Sequence, residues 1–408
     1  MTREIRRVET EKELELFTKL QANAYPGVQS SFAERLEHLE RLWKYDKSSS
    51  LWGMWEGDNL IAGARLLDFS MNYMGTFIPA GGIGSLAVGL THKKKGAARD
   101  FMLFFLDRCQ QRQQTVAMLY PFRPDFYHRM GFGYGTKMNA YRFRPHSLPS
   151  TGQGNDVRVL VEEDAEQIRA CHDEYANRHH GWCTLSTFEL RALLHVYGEG
   201  RAVGYFNGDR LEGYLTFDFQ RAHETSFLLN DLVVRQWIWN TPAALEALCG
   251  FMHRQHDQFD RISYSTQDAN FHHLLQDVRN GTGNLLPGVA HETNTAGVGL
   301  MYRIVSIDDF LDTIDASFGG VDLDLPVEVE DTFRPRDSGI YRLTTRRGIK
   351  DPGTPLRVTM ADLSSLLMGS VTPRTLYDLG KVEARPGELA ILEEALGSLT
   401  FPRCVTLF

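Results

Sequence analysis

The chain has 408 residues, 42% of them hydrophobic and 24% charged, and a net charge of −8. That length supports two or three domains at ~150 residues each, and the negative balance argues against a nucleic-acid binder. Its five cysteines, Cys109, Cys171, Cys183, Cys249 and Cys404, form neither a CxxC pair nor a Cys/His cluster at metal spacing, which predicts reduced thiols, no metal and a cytoplasmic protein.

The opening MTREIRRVETEKE is charged and has no apolar centre, so no signal peptide is expected. No apolar run approaches the ~20 residues of a membrane helix, which predicts no membrane partner. Glu11 to Tyr25 and Phe32 to Tyr45 have the spacing of amphipathic helices, with Thr10 as N-cap of the first. Ser50 to Glu56 and Asn59 to Asp68 read as strands around the turn Glu56-Gly57-Asp58, and Met74 to Val88 as further strands broken at Gly81-Gly82. After the basic turn Thr91-His92-Lys93-Lys94-Lys95-Gly96 comes a helix over 97–113. Thr115 to Tyr120 is a strand, Asp125 to Met130 a short helix before Gly131-Phe132-Gly133-Tyr134-Gly135, and Ala140 to Phe143 closes the unit. The alternation predicts a mixed sheet covered by helices, and His146 to Asn155 reads as a linker.

The strand-to-helix passage from Leu86 to Met102 is the most informative stretch. A strand feeding a helix through a glycine-containing turn leaves the first helical amides without internal partners, and the helix dipole adds positive potential there. That is a phosphate site. Gly96, Ala97 and Ala98 add little bulk, and Lys93, Lys94 and Lys95 attract an anion. The order is neither the P-loop nor the Rossmann glycine pattern.

The pattern then recurs. Gly208-Asp209-Arg210-Leu211 echoes Gly57-Asp58-Asn59-Leu60, and an offset of 146 residues pairs Val88 with Val234, Ala97-Ala98 with Ala243-Ala244, and Phe105 with Phe251. Opposite Lys93 to Gly96 stand Trp239, Asn240, Thr241 and Pro242. The charge is gone and proline removes a donor, so the second copy is expected not to bind a phosphate. Residues 290–408 differ in kind. Strands are expected at Leu300 to Val305, Gly339 to Thr344 and Leu356 to Thr359. Helices are expected at Ile307 to Ser317, Leu363 to Met368, Arg374 to Leu379 and Glu388 to Leu396. The chain closes on an apolar, aromatic segment ending at Phe408, unlike an ordinary polar terminus.

Lys93-Lys94-Lys95-Gly96-Ala97-Ala98 fits Arg/Gln-x-x-Gly-x-Gly/Ala with lysine in the first place, and so resembles the pyrophosphate loop of the GNAT acetyltransferases, which bind acetyl-CoA. With Phe126-Tyr127-His128-Arg129-Met130-Gly131-Phe132-Gly133-Tyr134-Gly135 and the aromatic end, the whole chain resembles the Eis (enhanced intracellular survival) family. The resemblance implies an α/β (α+β) fold of three parts: a catalytic GNAT domain at 1–148, a degenerate GNAT-like domain at 149–288, and a sterol-carrier-protein-like domain at 289–408. Lysines stand where the family usually has arginines, which keeps charge but loses bidentate phosphate contacts.

The resemblance further implies an N-acetyltransferase with acetyl-CoA as co-substrate and an amine-bearing small molecule or peptide as acceptor. Aminoglycoside-like polycations are the family precedent. It implies Tyr127 as general acid, the α-carboxylate of Phe408 as general base, and backbone amides of Leu86, Ala87 and Val88 as oxyanion donors. Amides of Lys94 to Arg99 hold the pyrophosphate, Phe122 and Arg123 contact CoA, and the protein is a homo-oligomer, hexameric in the family. Val405, Leu407 and Phe408 would desolvate the terminal carboxylate, whose ordinary pKa of ~3.3–3.7 makes it a weak base. Asp125 and His128 are alternative bases by proximity to Tyr127. Two other functions are open: a tRNA-dependent aminoacyl transferase, which needs a basic surface, and a non-catalytic acyl-CoA or lipid binding protein, which has no use for Tyr127.

Overall fold

The computed structural model describes residues 3–150, 157–197, 201–223, 225, 229–314, 324–344, 355–397, 399–404, 406 and 408. In chain order the elements are β1 Arg3–Arg7, α1 Glu11–Ala24, α2 Phe32–Tyr45, β2 Ser49–Glu56, β3 Asn59–Tyr73, β4 Thr76–Val88, α3 Ala97–Gln111, β5 Val116–Leu119, α4 Pro124–His128 and β6 Gly133–Tyr134. Next come β7 Met138–Phe143, β8 Val157–Val159, α5 Ala165–Arg178, α6 Thr187–Tyr197, β9 Ala202–Asn207, β10 Arg210–Arg221, β11 Asn230–Trp239, α7 Pro242–His253, β12 Phe259–Thr266, β13 Leu285–Leu286, β14 Ala290–His291 and β15 Asn294–Gly297. The last are β16 Met301–Ile304, α8 Ile307–Thr313, β17 Asp324–Glu330, β18 Gly339–Thr344, β19 Leu356–Thr359, α9 Met360–Leu367, α10 Pro373–Asp378, β20 Val382–Glu383 and α11 Pro386–Leu396.

The chain forms two compact units. The first holds 1–135, 299–402 and 406–408, and the second holds 136–298 and 403–405. The first unit's main sheet has the order β1-β2-β3-β4-β5-β16-β6, with β4 and β5 its parallel pair. Its core includes Met54, Ile61, Leu66, Phe101, Phe105, Ala117 and Leu119, all essentially inaccessible. α1 and α2 both begin with capping boxes, Thr10 with Glu13 and Ser31 with Glu34, which satisfy the first amides of each helix. The same unit carries a four-stranded sheet, β18-β17-β19-β20. α9 binds this region to the main sheet: the Ile304 amide donates to the Ser364 hydroxyl at 3.0 Å, Ser365 donates to the Tyr134 carbonyl at 3.0 Å, and Tyr73 donates to the Leu367 carbonyl at 2.6 Å.

The second unit repeats the plan, with the order β15-β7-β12-β11-β10-β9-β8 and β11–β12 as the parallel pair. The two hairpin turns match in backbone as in sequence, with Gly57 at φ +59° and Gly208 at φ +60°. The helix starts differ. Pro242 is the first residue of α7, and the Thr241 hydroxyl accepts the Ala244 amide at 3.1 Å, so that N-terminus is capped from within. α3 has Gly96 as its N-cap residue, φ +84°, with no side-chain cap.

Two expectations need correction. Ala140 to Phe143 does not close the first unit: β7 pairs with β12 and β15 in the second sheet. The first sheet instead takes β16, far along the chain, between β5 and β6. The strand pattern of each segment is legible locally, but its partner is a tertiary choice. Gly81-Gly82 does not break β4, which runs unbroken from Thr76 to Val88. The pair makes room instead: a Cβ on Gly81 would lie 2.5 Å from Cys109 Sγ, and one on Gly82 2.5 Å from the Phe69 ring. The helix expected over Ile307 to Ser317 is seen from Ile307 to Thr313, and its remaining part, like residues 151–155 of the linker, lies largely outside the described residues.

Candidate active site

β4 builds the site through a bulge. Gly63 pairs with Ala87 and Arg65 with Gly84, so Ser85 and Leu86 both oppose Ala64. Ser85 takes φ +55°, the left-handed conformation a bulge uses. On its other side β4 pairs with β5 at Ala80–Gly82 and Val116–Met118, and the ladder ends there while β4 runs on to Val88. Two adjoining clefts, of about 490 and about 470 Å³, open along that part of β4.

One cleft is lined by Leu86, Val88, Lys93, Lys94, Gly96, Ala97, Ala98, Arg99, Phe122 and Arg123. These are ten of the expected cofactor residues, drawn together from β4, the basic turn, α3 and the start of α4. Two expected residues stand apart: Ala87 is buried and Lys95 exposed, and neither lines the cleft. Gly96 and Lys94 both have positive φ, +84° and +60°, which bends the turn over the α3 N-terminus. With no side-chain cap, the first amides of α3 are left for an anion. His92, Tyr25 and Phe126 also line this cleft; His92 stands in the basic turn and Phe126 in the stretch before Gly131, but none of the three is assigned to the cofactor from sequence.

The other cleft holds Tyr127 and Phe408, and shares Tyr25, Leu86 and Phe122 with the first. Tyr127 lies on the single turn of α4. That turn begins with Pro124 and is closed by the Phe132 amide donating to the Tyr127 carbonyl at 3.2 Å, with Gly131 at φ +79°. No other residue type fits there, since a Cβ on Gly131 would fall 1.9 Å from Arg303 Nη1. Phe122, Phe126 and Phe132 surround the Tyr127 ring with centroids 5.6, 5.2 and 6.2 Å away. Tyr127 is 4% exposed. Burial, and secondly the nearby Tyr25, push its phenol well above the ordinary value and keep it protonated. The Tyr25 hydroxyl itself donates to the Leu86 carbonyl at 2.7 Å.

Phe408 is half-buried, its ring 5.0 Å from Phe69 and 5.4 Å from Tyr120. Its main chain rests on Gly84, where a Cβ would come 2.8 Å from the Phe408 carbonyl carbon. Val405 and Leu407, expected to desolvate this end, lie outside the described residues. Neither alternative base lines the cleft. The hydrogen bond from Arg123, and the charges of Arg123 and Arg129, hold the exposed Asp125 carboxyl below its usual range. His128 stacks on Tyr134 at 4.9 Å, where burial lowers its pKa. Among the described residues no group of His, Cys, Asp and Glu could hold a metal, and no helix is long and apolar enough to cross a membrane.

Residues 4–135 match the family profile described as acetyltransferase (GNAT) domain, and 175–304 match a second profile of that description. Residues 308–404 match the sterol carrier protein domain. An uncharacterized N-acetyltransferase of Streptomyces avermitilis is 26% identical over 407 residues, covering 93% of each chain. One from Streptomyces coelicolor is 24% identical, again over 93% of each. The fold is similar over the full length of both chains to a GCN5-related N-acetyltransferase from Anabaena variabilis (TM-score 0.81, 16% identity) and to Eis1 from Mycobacterium abscessus (TM-score 0.75, 20% identity).

Proposed function

Since the chain belongs to the Eis-like GNAT acetyltransferases, with two GNAT domains followed by a sterol carrier protein domain, we propose that it transfers the acetyl group of acetyl-CoA to a primary amine with Tyr127 as general acid and the Phe408 carboxylate as general base. The observation that carries this reading is the meeting of Tyr127 and Phe408 in one cleft that adjoins the basic turn.

Acetyl-CoA supplies an activated thioester carbonyl. Its pyrophosphate is held by the amides of Lys94 to Arg99, with Lys93 and Lys94 adding charge and Lys95 acting only at longer range. The amine arrives protonated, with a pKa of ~10.4 for a lysine-type group, and must lose a proton before attack. The Phe408 carboxylate accepts that proton directly or through water. The nitrogen then bonds to the carbonyl carbon, and the developing oxyanion is met by amides of Leu86 to Val88. As the C–S bond breaks, the Tyr127 phenol gives its proton to the departing thiolate and recovers one from the ammonium formed on the new amide nitrogen. A phenol that burial keeps protonated suits that role.

The second domain is not expected to bind CoA, because the α7 N-terminus is already capped by Thr241 and begins with Pro242. An acyl carrier role for the C-terminal region fits less well. Its concavity of about 810 Å³ does carry Val329, Ile340 and Val358, but Glu328, Glu330, Arg357, Asp362, Lys381 and Glu383 stand among them, a poor surface for an alkyl chain. An aminoacyl transferase using tRNA is opposed by the net charge of −8. The family resemblance also implies a homo-oligomer, hexameric in the family, which light scattering on the purified protein tests, and the five free cysteines suit a cytoplasmic location.

The functional test is thiol release from acetyl-CoA with a panel of polycations, peptide lysines and simple amines. It is run on the intact protein, on Tyr127→Phe, and on a variant with one residue added after Phe408. Loss of turnover in both variants with acetyl-CoA binding kept supports the two roles. Full activity in the extended variant sinks the carboxylate. No turnover with any amine sinks the transferase reading.

A further inference from the structure

The acceptor cleft contains a cation that acetyl transfer does not use. Arg35, near the start of α2, lines this cleft with Tyr127 and Phe408. Its guanidinium is fixed by neutral oxygens. Nε donates to the Ser30 hydroxyl at 2.9 Å and more weakly to the Ser30 carbonyl at 3.4 Å, and Nη2 donates to the carbonyls of Val28 at 2.5 Å and Tyr25 at 3.3 Å. Nη1 has no partner among the described residues, and no carboxylate among them pairs with Arg35.

Its charged neighbours are already occupied. Arg65, also in the lining, is matched by Asp46 at 2.9 Å. Glu34 spends Oε2 on capping α2, accepting the Ser31 amide at 2.7 Å and the Ser31 hydroxyl at 2.9 Å. Partial burial, then the charges of Arg65 and Arg41, press His38 toward its neutral form. The rest of the wall is uncharged apart from the Phe408 end and includes an apolar part, with Leu39 and Leu42 buried and Val28 (56%) and Phe122 (61%) exposed. An arginine held in place by carbonyls has already lost much of its rotamer freedom, so little more is lost when it takes a planar anion.

We propose that Arg35 selects the acceptor by pairing with a carboxylate on it, so that the substrate is an amine that also bears an acid on an apolar body, and not a polycation. This rests on the acetyl-transfer reading and narrows its acceptor. The amine is placed by the acetyl-transfer groups, the apolar body lies on Val28, Leu39 and Phe122, and the acid reaches the open Nη1 side of Arg35.

The test compares 4-(aminomethyl)benzoate with benzylamine, which differ by one carboxylate, and adds spermidine as a polycation. In the intact protein kcat/KM should favour the acid by about tenfold or more, chiefly through KM, as a charge-assisted pair provides. In Arg35→Gln the ratio should fall to about unity, and Arg35→Lys should restore part of it. Rising salt should raise KM for the acid and leave benzylamine nearly unaffected, a readout that does not depend on any variant folding. A ratio near unity in the intact protein, a preference for spermidine, or a tenfold ratio that survives Arg35→Gln overturns the proposal. If no amine turns over, calorimetric titration of 4-(aminomethyl)benzoate onto the CoA-loaded protein separates the two ideas. Binding that Arg35→Gln abolishes keeps the acid site while the transferase reading falls. No binding to the intact protein removes the acid site itself.

Discussion

A side chain of even one carbon at Gly84 would lie 2.8 Å from the carbonyl carbon of Phe408 and 3.0 Å from its oxygen. The β4 bulge and this glycine together clear the seat on which the chain end rests. Gly84→Ala should therefore displace that end. General base catalysis contributes roughly 10²–10⁴-fold, so kcat should fall by about 10²-fold. Gly84 does not line the cleft of the basic turn, so acetyl-CoA affinity by calorimetry should stay within about threefold. An unchanged kcat would show that the Phe408 end is only an anchor.

Tyr127→Phe removes one oxygen from an aromatic cluster and leaves its packing intact. Loss of a general acid should lower kcat by about 10²-fold with little change in acetyl-CoA affinity. The pH profile gives an independent check. The phenol is raised above its ordinary value by burial and by Tyr25, so it stays protonated where a free tyrosine would ionise. Activity in the intact protein should keep rising to about pH 10 as the amine deprotonates. A falling limb between about pH 8 and 10 with a substrate of that pKa would exclude Tyr127 as the acid.

The same physics predicts weakness in alkali. Burial raises the phenols of Tyr73, Tyr127, Tyr175 and Tyr214. A group whose folded pKa lies above its unfolded one supports the fold below the unfolded value and loses that support as pH rises toward the folded value. For tyrosine the loss begins near pH ~10. Urea unfolding midpoints should therefore be level between about pH 7 and 9 and drop steeply by about pH 11, with the share of phenolate absorbance that belongs to the buried tyrosines appearing only on unfolding.

Gly96 tests the anion site. Its φ of +84° strains any L-residue, while the space around it is ample, the nearest atom to an added Cβ being Asp100 Oδ2 at 3.8 Å. Gly96→Ala should cost about 1–2 kcal/mol of stability through backbone strain. It should also weaken acetyl-CoA binding by about tenfold, because the α3 amides turn away. Unchanged affinity in a folded variant would move the pyrophosphate elsewhere.

The loop from Lys93 to Ala98 was legible because its chemistry is local: a strand end, a glycine and an uncapped helix start follow one another in sequence. The repeat at an offset of 146 residues was legible for the same reason, since it compares like with like. The exchange of partners by β7 and β16 was not. Met138–Phe143 and Met301–Ile304 both read as strands, and nothing in either names its sheet. Gly81-Gly82 read as a break because glycine is a poor strand former. Its reason for being there, the approach of Cys109, Phe69 and Phe408, is visible only in three dimensions. Arg35 escaped notice because on a helix it resembles any solvated cation.

Arg303 gives the last prediction. It is a wholly buried cation on β16, and it donates to the Met130 carbonyl at 2.8 Å, to Asp331, and to Asp337 at 3.1 Å. Asp331 in turn accepts the Phe333 and Arg334 amides, both at 3.0 Å. The network thus ties the loop after α4 to the β17–β18 connection. Removing one member leaves the others charged and buried, which costs more than the intact network contributes, so Arg303→Met should destabilise by about 3–5 kcal/mol. The double variant Arg303→Met with Asp331→Asn removes a buried charge of each sign and should recover part of that loss, measurable as a coupling energy in urea unfolding. Because the Met130 carbonyl holds the turn that carries Tyr127, the folded single variant should also lose kcat. Equal destabilisation of the single and double variants would show that Arg303 acts by volume alone.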